Sequence, residues 1–264
     1  MQLLVVSVRA DEVDTASGEL WALGVGGIEE RAGVEPGSVD LVLDGDASTL
    51  AAAVGDRWPT RLIEVDPDVW VEAWRPWARA VEVSDGVSVR PPWVESIGTP
   101  LEVVIDPERA WGHGAHPTTV LCVGWCARRR PLPASLLDVG CGSGTVSIAA
   151  ALLGATDVVA VDIDPEALVA TRVNAASNGV AGFVDVLDAD VADLGRAFDV
   201  VVANIGAATV RSLAGDLAAR LAPGGSLLLS GFFTDDVELV TSAFPTLFAA
   251  SVEERDGWAL VELR

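Results

Sequence analysis

The stretch Leu136-Leu137-Asp138-Val139-Gly140-Cys141-Gly142-Ser143-Gly144-Thr145 decides the fold. An apolar run ends in alternating glycines and gives way to the helix-like Val146-Ser147-Ile148-Ala149-Ala150-Ala151-Leu152-Leu153. That is a strand, a tight turn and a helix start. Glycine is needed there because the turn takes dihedrals closed to other residues, and because a ligand at a helix N-terminus has to lie against bare backbone. A branched side chain at Gly140 is therefore expected to occupy the ligand's place. A dinucleotide fold sets its third small residue three positions after the second glycine, where Thr145 stands, whereas Gly144 follows Gly142 by only two. The spacing disfavours a nicotinamide-dependent oxidoreductase. Asp138, two residues before the first glycine, also departs from the usual apolar strand end.

Downstream, strands expected at 158–164, 183–187, 199–204 and 226–230 alternate with helices at 166–176, 207–221 and 235–243. Such alternation implies a parallel sheet covered on both faces. The tail, 248–253 and 258–263 across Arg255-Asp256-Gly257, reads as a closing antiparallel hairpin.

Chemistry is expected where strands end. Asp162 lies 22 residues beyond Gly140, where an acid accepts both hydroxyls of a ribose. Asp190 can accept from an adenine amino group at the cleft edge, or it is a helix N-cap or solvated acid. Asn204 stands beside the crevice where open α/β sheets bind ligands, and its side-chain oxygen can accept a hydrogen bond from an incoming amine; alternatively it caps the next helix. His113, His116, Cys122 and Cys126 fall close together, but His-x-x-His before Cys-x-x-x-Cys is not a usual zinc spacing, so no metal is expected. His116 is either a lone general base or a loop-orienting residue.

The first 66 residues read strand, helix, strand, strand, helix, strand, at 3–8, 13–23, 27–31, 39–43, 50–54 and 62–65. This is the order of a small ferredoxin-like α+β unit. Trp70, Trp74 and Trp77 then share one side of a helical turn stopped by Pro76, which makes 67–79 a connector whose tryptophans are expected to form a packed joint. Two extended stretches, 87–90 and 101–105, lead into a glycine- and histidine-bearing loop and a helix at 120–127.

At 264 residues and 50% hydrophobic content, the chain has ample material for a core. The net charge of −22, from 39 acidic residues against 17 arginines and no lysine, argues against direct nucleic-acid binding while permitting a basic partner. Three cysteines cannot build a disulfide scaffold and fit a reducing, cytoplasmic setting. No apolar run approaches a membrane span.

The Asp-x-Gly-Cys-Gly-x-Gly turn resembles the first motif of S-adenosylmethionine-dependent methyltransferases. With the Trp-x-x-x-Trp segment at 70–74, the loop Trp111-Gly112-His113-Gly114-Ala115-His116-Pro117-Thr118-Thr119 and Asn204-Ile205-Gly206-Ala207, nearly the whole chain resembles the bacterial ribosomal protein L11 methyltransferases, the PrmA family. The resemblance implies a seven-stranded class I methyltransferase Rossmann-like domain at 80–264, a linker helix at 67–79 and a substrate-recruiting N-terminal domain at 1–66. It implies S-adenosyl-L-methionine as cofactor, held at Thr119, Gly140, Asp162 and Asn204; the reading of the residues adds Gly142 of the glycine turn and Asp190 as cofactor contacts and Asn204 as the catalytic residue. The implied activity is N-methylation of lysine side chains and a chain α-amine on a large-subunit ribosomal protein; the alternatives are another protein's lysine, a small-molecule amine, or a non-catalytic cofactor-binding module. Trp111, His113 and Gly206 depart from the family pattern, the last standing where a larger residue is usual.

Overall fold

A computed structural model of the protein describes residues 2–23, 25, 27–35, 37–55, 57–64, 75–84, 86–107 and 114–264. Two compact units emerge, Met1–Pro76 and Trp77–Arg264. The first contains β1 (Gln2–Arg9), α1 (Val13–Ala22), β2 (Gly27–Ala32), β3 (Ser38–Asp44), α2 (Ala47–Val54) and β4 (Thr60–Glu64). Its sheet runs β2-β3-β1-β4, antiparallel throughout, which is the ferredoxin-like order. Alternation in β1 turns Leu4, Val6 and Val8 toward Ala16 and Leu20 of α1 and Leu50 of α2, so one face of the sheet buries both helices. Asp46 starts α2 by accepting the Thr49 N–H at 2.7 Å.

Trp70 and Trp74 lie outside the described residues, and Arg75–Trp77 forms one 3-10 turn. Trp77 is 76% exposed.

The second unit opens with a small sheet ordered β5 (Val81–Ser84), β6 (Val87–Arg90), β7 (Leu101–Val104). The strand β5 was not expected, although Val81-Glu82-Val83-Ser84 alternates as a half-buried strand does. There follow α3 (Pro117–Arg128), β8 (Ser135–Val139), α4 (Thr145–Leu152), β9 (Asp157–Val161), α5 (Pro165–Ser177), β10 (Val184–Leu187), β11 (Phe198–Asn204), α6 (Ala207–Ser212), α7 (Ala214–Ala219), β12 (Leu221–Phe233), α8 (Val237–Thr241), β13 (Ala249–Arg255) and β14 (Trp258–Leu263). The single helix expected over 207–221 is thus two short ones, because the chain breaks at Leu213 and Leu221 already pairs with Phe198.

The large sheet runs β10-β9-β8-β11-β12-β14-β13, with β14 antiparallel to both neighbours. Strand order reverses between β8 and β11, which opens a crevice at their carboxyl ends. Successive residues of β8 feed opposite cores: Leu136 joins Ile148 and Trp125 on one face, and Leu137 joins Val210 and Leu217 on the other. The closing hairpin turns on Asp256 and Gly257, both at positive φ (52° and 80°), as a two-residue turn between twisted strands requires. Among the described residues, no helix is long and apolar enough to cross a membrane.

Candidate active site

Gly140, Gly142 and Gly144 take φ of 72°, 53° and 83°, the left-handed region that favours glycine. The turn is sewn to the end of β9: Gly140 and Cys141 both donate their N–H to the Val161 carbonyl, at 2.9 and 3.1 Å. Gly142 donates to Asp162 Oδ2 at 2.9 Å. Asp162 Oδ1 meanwhile accepts the Asp164 N–H at 3.0 Å, and Asp164 caps α5 through the Glu166 N–H at 2.9 Å, ahead of Pro165. The cradle and the acid are therefore one hydrogen-bonded unit. Ile163, beside the acid, is 96% exposed, an apolar face at the crevice rim that sequence reasoning passed over.

A Cβ at Gly140 would also overlap Ile205 Cγ2. Ile205 is hemmed in from its other side by Gly231, whose own Cβ would stand 2.7 Å from the Ile205 backbone nitrogen and carbon. Gly231 sits at φ 94°, where β12 shifts register between Ser230 and Phe232. These glycines pin the ends of β8, β11 and β12 together around Ile205. The Ser230-Gly231-Phe232 interruption of an apolar strand was the available signal for it.

Under the turn, Asp138 is fully buried and its Oδ2 accepts from the Ser147 N–H at 3.0 Å and the Ser147 hydroxyl at 2.6 Å. Burial pushes its carboxyl up to about 6 in spite of those bonds. Burial likewise raises the Cys141 thiol, which lies 3.4 Å from the Thr171 hydroxyl.

Asn204 ends β11 opposite Ser230. Its Oδ1 is buried and has no hydrogen-bond partner among the described residues. The cap alternative does not apply: the N-cap of α6 is Gly206, two residues on, and no side chain bonds that helix end.

The third element of the crevice is the loop entering α3. Gly114, at φ 84°, packs where a Cβ would overlap Val89 Cγ1 and reach 3.8 Å from Thr145, so the loop presses against the start of α4. His116 is the N-cap of α3, with Nδ1 2.8 Å from the Thr118 hydroxyl, and its ring stands edge-on to Trp258 at 4.7 Å. Trp258 in turn packs on Phe233 at 4.2 Å. Loop orientation is the role the geometry supports for His116. Thr119 is buried near the start of α3, and Asp190, exposed, begins a 3-10 turn after β10 without capping it through its side chain. Trp111 and His113 lie outside the described residues. Cys122 and Cys126 are buried in α3, and burial pushes the Cys126 thiol up to about 12.

The crevice thus joins a glycine cradle, an oriented acid and an unpaired amide oxygen at the switch point of a seven-stranded sheet. Residues 49–264 match the family model described as ribosomal protein L11 methyltransferase (PrmA). The chain belongs to that family. It is 41% identical over 203 residues to the ribosomal protein L11 methyltransferase of Geobacter sp. (strain M21), covering 74% of this chain and 66% of that relative. Against the enzyme of that name from Symbiobacterium thermophilum the identity is 36% over 258 residues, covering 96% of this chain and 84% of the relative. The chain therefore spans just under two thirds of the Geobacter PrmA protein and most of the Symbiobacterium one. Among solved structures it is similar to ribosomal protein L11 methylase from Lactobacillus delbrueckii subsp. bulgaricus, with TM-score 0.65, 28% identity, and coverage of 70% of this chain and 98% of that one. The class I sheet order is the one the PrmA resemblance implied.

Proposed function

We propose that this PrmA-family chain is an S-adenosylmethionine-dependent N-methyltransferase acting on lysine side chains and a chain α-amine of a large-subunit ribosomal protein, the L11 protein of its relatives' name. The observation that carries this is Asn204 Oδ1, a buried acceptor left unpaired beside the glycine cradle. Most buried polar atoms are bonded, and one left open at a crevice awaits a donor from a ligand.

The residues fit the cofactor. Each oxygen of Asp162 accepts one backbone N–H, which leaves lone pairs for the two ribose hydroxyls. Gly140 and Gly142 offer bare backbone to the amino-acid portion, Thr119 a hydroxyl from the start of α3, and Asp190 an acceptor for the adenine amino group. S-adenosylmethionine, when bound, supplies a methyl group on a sulfonium sulfur. Asn204 accepts an N–H of the incoming neutral amine, and that bond turns the nitrogen lone pair away from Oδ1 and toward the cofactor side of the crevice. Gly206 leaves room there, since a Cβ at 206 would meet nothing within 4 Å. A net charge of −22 suits a basic protein substrate.

Calorimetry with S-adenosylhomocysteine and NAD, followed by radiolabel transfer from S-adenosylmethionine to purified L11, tests the proposal. Binding of the first ligand only, with label appearing on L11 amines, is the expected result. Binding without transfer to any protein in a ribosomal extract would leave a non-catalytic module.

A further inference from the structure

Two amide side chains, Asn174 on α5 and Asn178 at its C-cap, take the place of a strand along the free edge of β7. Asn174 Oδ1 accepts the Asp106 N–H at 3.0 Å while its Nδ2 donates to the Asp106 carbonyl at 2.7 Å. One turn later, Asn178 treats Val104 in the same way, at 3.0 and 2.6 Å. Residues 104 and 106 present their backbone groups to one edge, and a four-residue spacing on the helix matches that two-residue spacing on the chain.

The two asparagines differ in their third bond. Asn178 spends its remaining N–H within its own helix, on the Asn174 carbonyl at 2.8 Å. Asn174 reaches instead to the Ser143 carbonyl, inside the glycine turn, at 2.9 Å. It is 2% exposed. One buried side chain thus joins the helix that follows Asp162, the glycine turn, and Asp106, where the chain leaves β7 for Gly114 and His116.

We infer that Asn174 is a positioning residue for the cofactor site, holding the glycine turn in place against Asp106 before any ligand arrives; this rests on the cofactor reading above. A turn with three glycines at positive φ loses unusually much entropy when ordered. If the protein orders it in advance, a ligand does not bear that cost on binding. Asn178, which lacks the bond to the turn, is the built-in comparison.

Asn174→Ala and Asn178→Ala in the full chain both remove two bonds to the β7 edge, so both are expected to lower Tm by similar amounts. In the free protein, hydrogen exchange should rise over residues 101–107 in both variants but over 140–145 only in Asn174→Ala. Calorimetry should find S-adenosylhomocysteine weakened about tenfold or more by Asn174→Ala and less than about threefold by Asn178→Ala. Equal losses of affinity, or an undisturbed glycine turn in Asn174→Ala, overturn the inference. A wild-type chain that binds no S-adenosylhomocysteine sinks the cofactor reading and this role with it, whereas a wild type that binds and an Asn174→Ala that binds equally well sinks only the role. Should either alanine variant fail to fold, Asn174→Asp and Asn178→Asp, which keep the acceptor for the strand N–H, carry the same comparison.

Discussion

Gly140 and Ile205 compete for one volume: a side chain at 140 would overlap Ile205 Cγ2, while φ of 72° already excludes ordinary residues from that position. Gly140→Ala is therefore expected to lower stability by about 2 kcal/mol or more, from left-handed strain of ~1 kcal/mol plus repacking of a rigid branched neighbour. Gly206→Ala, at φ −57° with nothing within 4 Å of its Cβ, should stay within roughly 0.5 kcal/mol of wild type. Urea denaturation of both variants measures the difference, and a loss of only about 1 kcal/mol, that of the strain alone, would show that Ile205 yields freely.

Asp162→Ala should weaken S-adenosylhomocysteine binding by roughly 10- to 100-fold, from lost charge-assisted bonds of about 1.5–3 kcal/mol. Because the same carboxylate holds the Gly142 N–H, some of that loss comes from a loosened cradle. Asp162→Asn, which keeps one acceptor oxygen, is expected to fall between the two in calorimetry.

Asn204→Ala separates catalysis from stability. Removing a buried oxygen that bonds nothing among the described residues should leave Tm unchanged or raised. Turnover at saturating cofactor should fall about 100-fold, with S-adenosylhomocysteine affinity much less affected. A variant with undiminished turnover would remove Asn204 from the chemistry.

Asp138 makes stability depend on pH in a direction opposite to the usual carboxylate. Its folded value is raised from 3.8 to about 6, so the folded state holds the proton more tightly. The resulting stabilisation is fully present below the unfolded value and is lost as pH rises through about 6, by roughly 3 kcal/mol in all. Denaturation of wild type and Asp138→Asn across pH 4 to 7 should show this fall in wild type only. A parallel pair of curves would mean that Asp138 titrates normally.

Recruitment by the first unit is a proposal with its own test. The fragment Trp77–Arg264 contains every residue proposed to touch the cofactor and has its own two-faced core. It should bind S-adenosylhomocysteine with near-native affinity yet methylate intact L11 far more slowly than the full chain, because docking by residues 1–66 raises the local concentration of target. Full activity of the fragment toward intact L11 would instead favour a small-molecule amine as acceptor.

From the sequence alone came the alternation of strands and helices, the ferredoxin-like order of the first six elements, the glycine turn and the acids beyond it, because periodicity, glycine and strand ends are local properties that each segment carries by itself. What only the tertiary structure decided is which of these residues meet. Asp162 proves to be a partner of Gly142, Gly140 yields its side-chain space to Ile205, and Asn174 binds Ser143 and Asp106 from a helix whose sequence shows only two asparagines four apart. The unpaired state of Asn204 Oδ1 was likewise invisible, since an amide that caps a helix and one left open beside a crevice are the same residue in the same place in the chain. Only packing between strands distant in sequence supplies or withholds the partner.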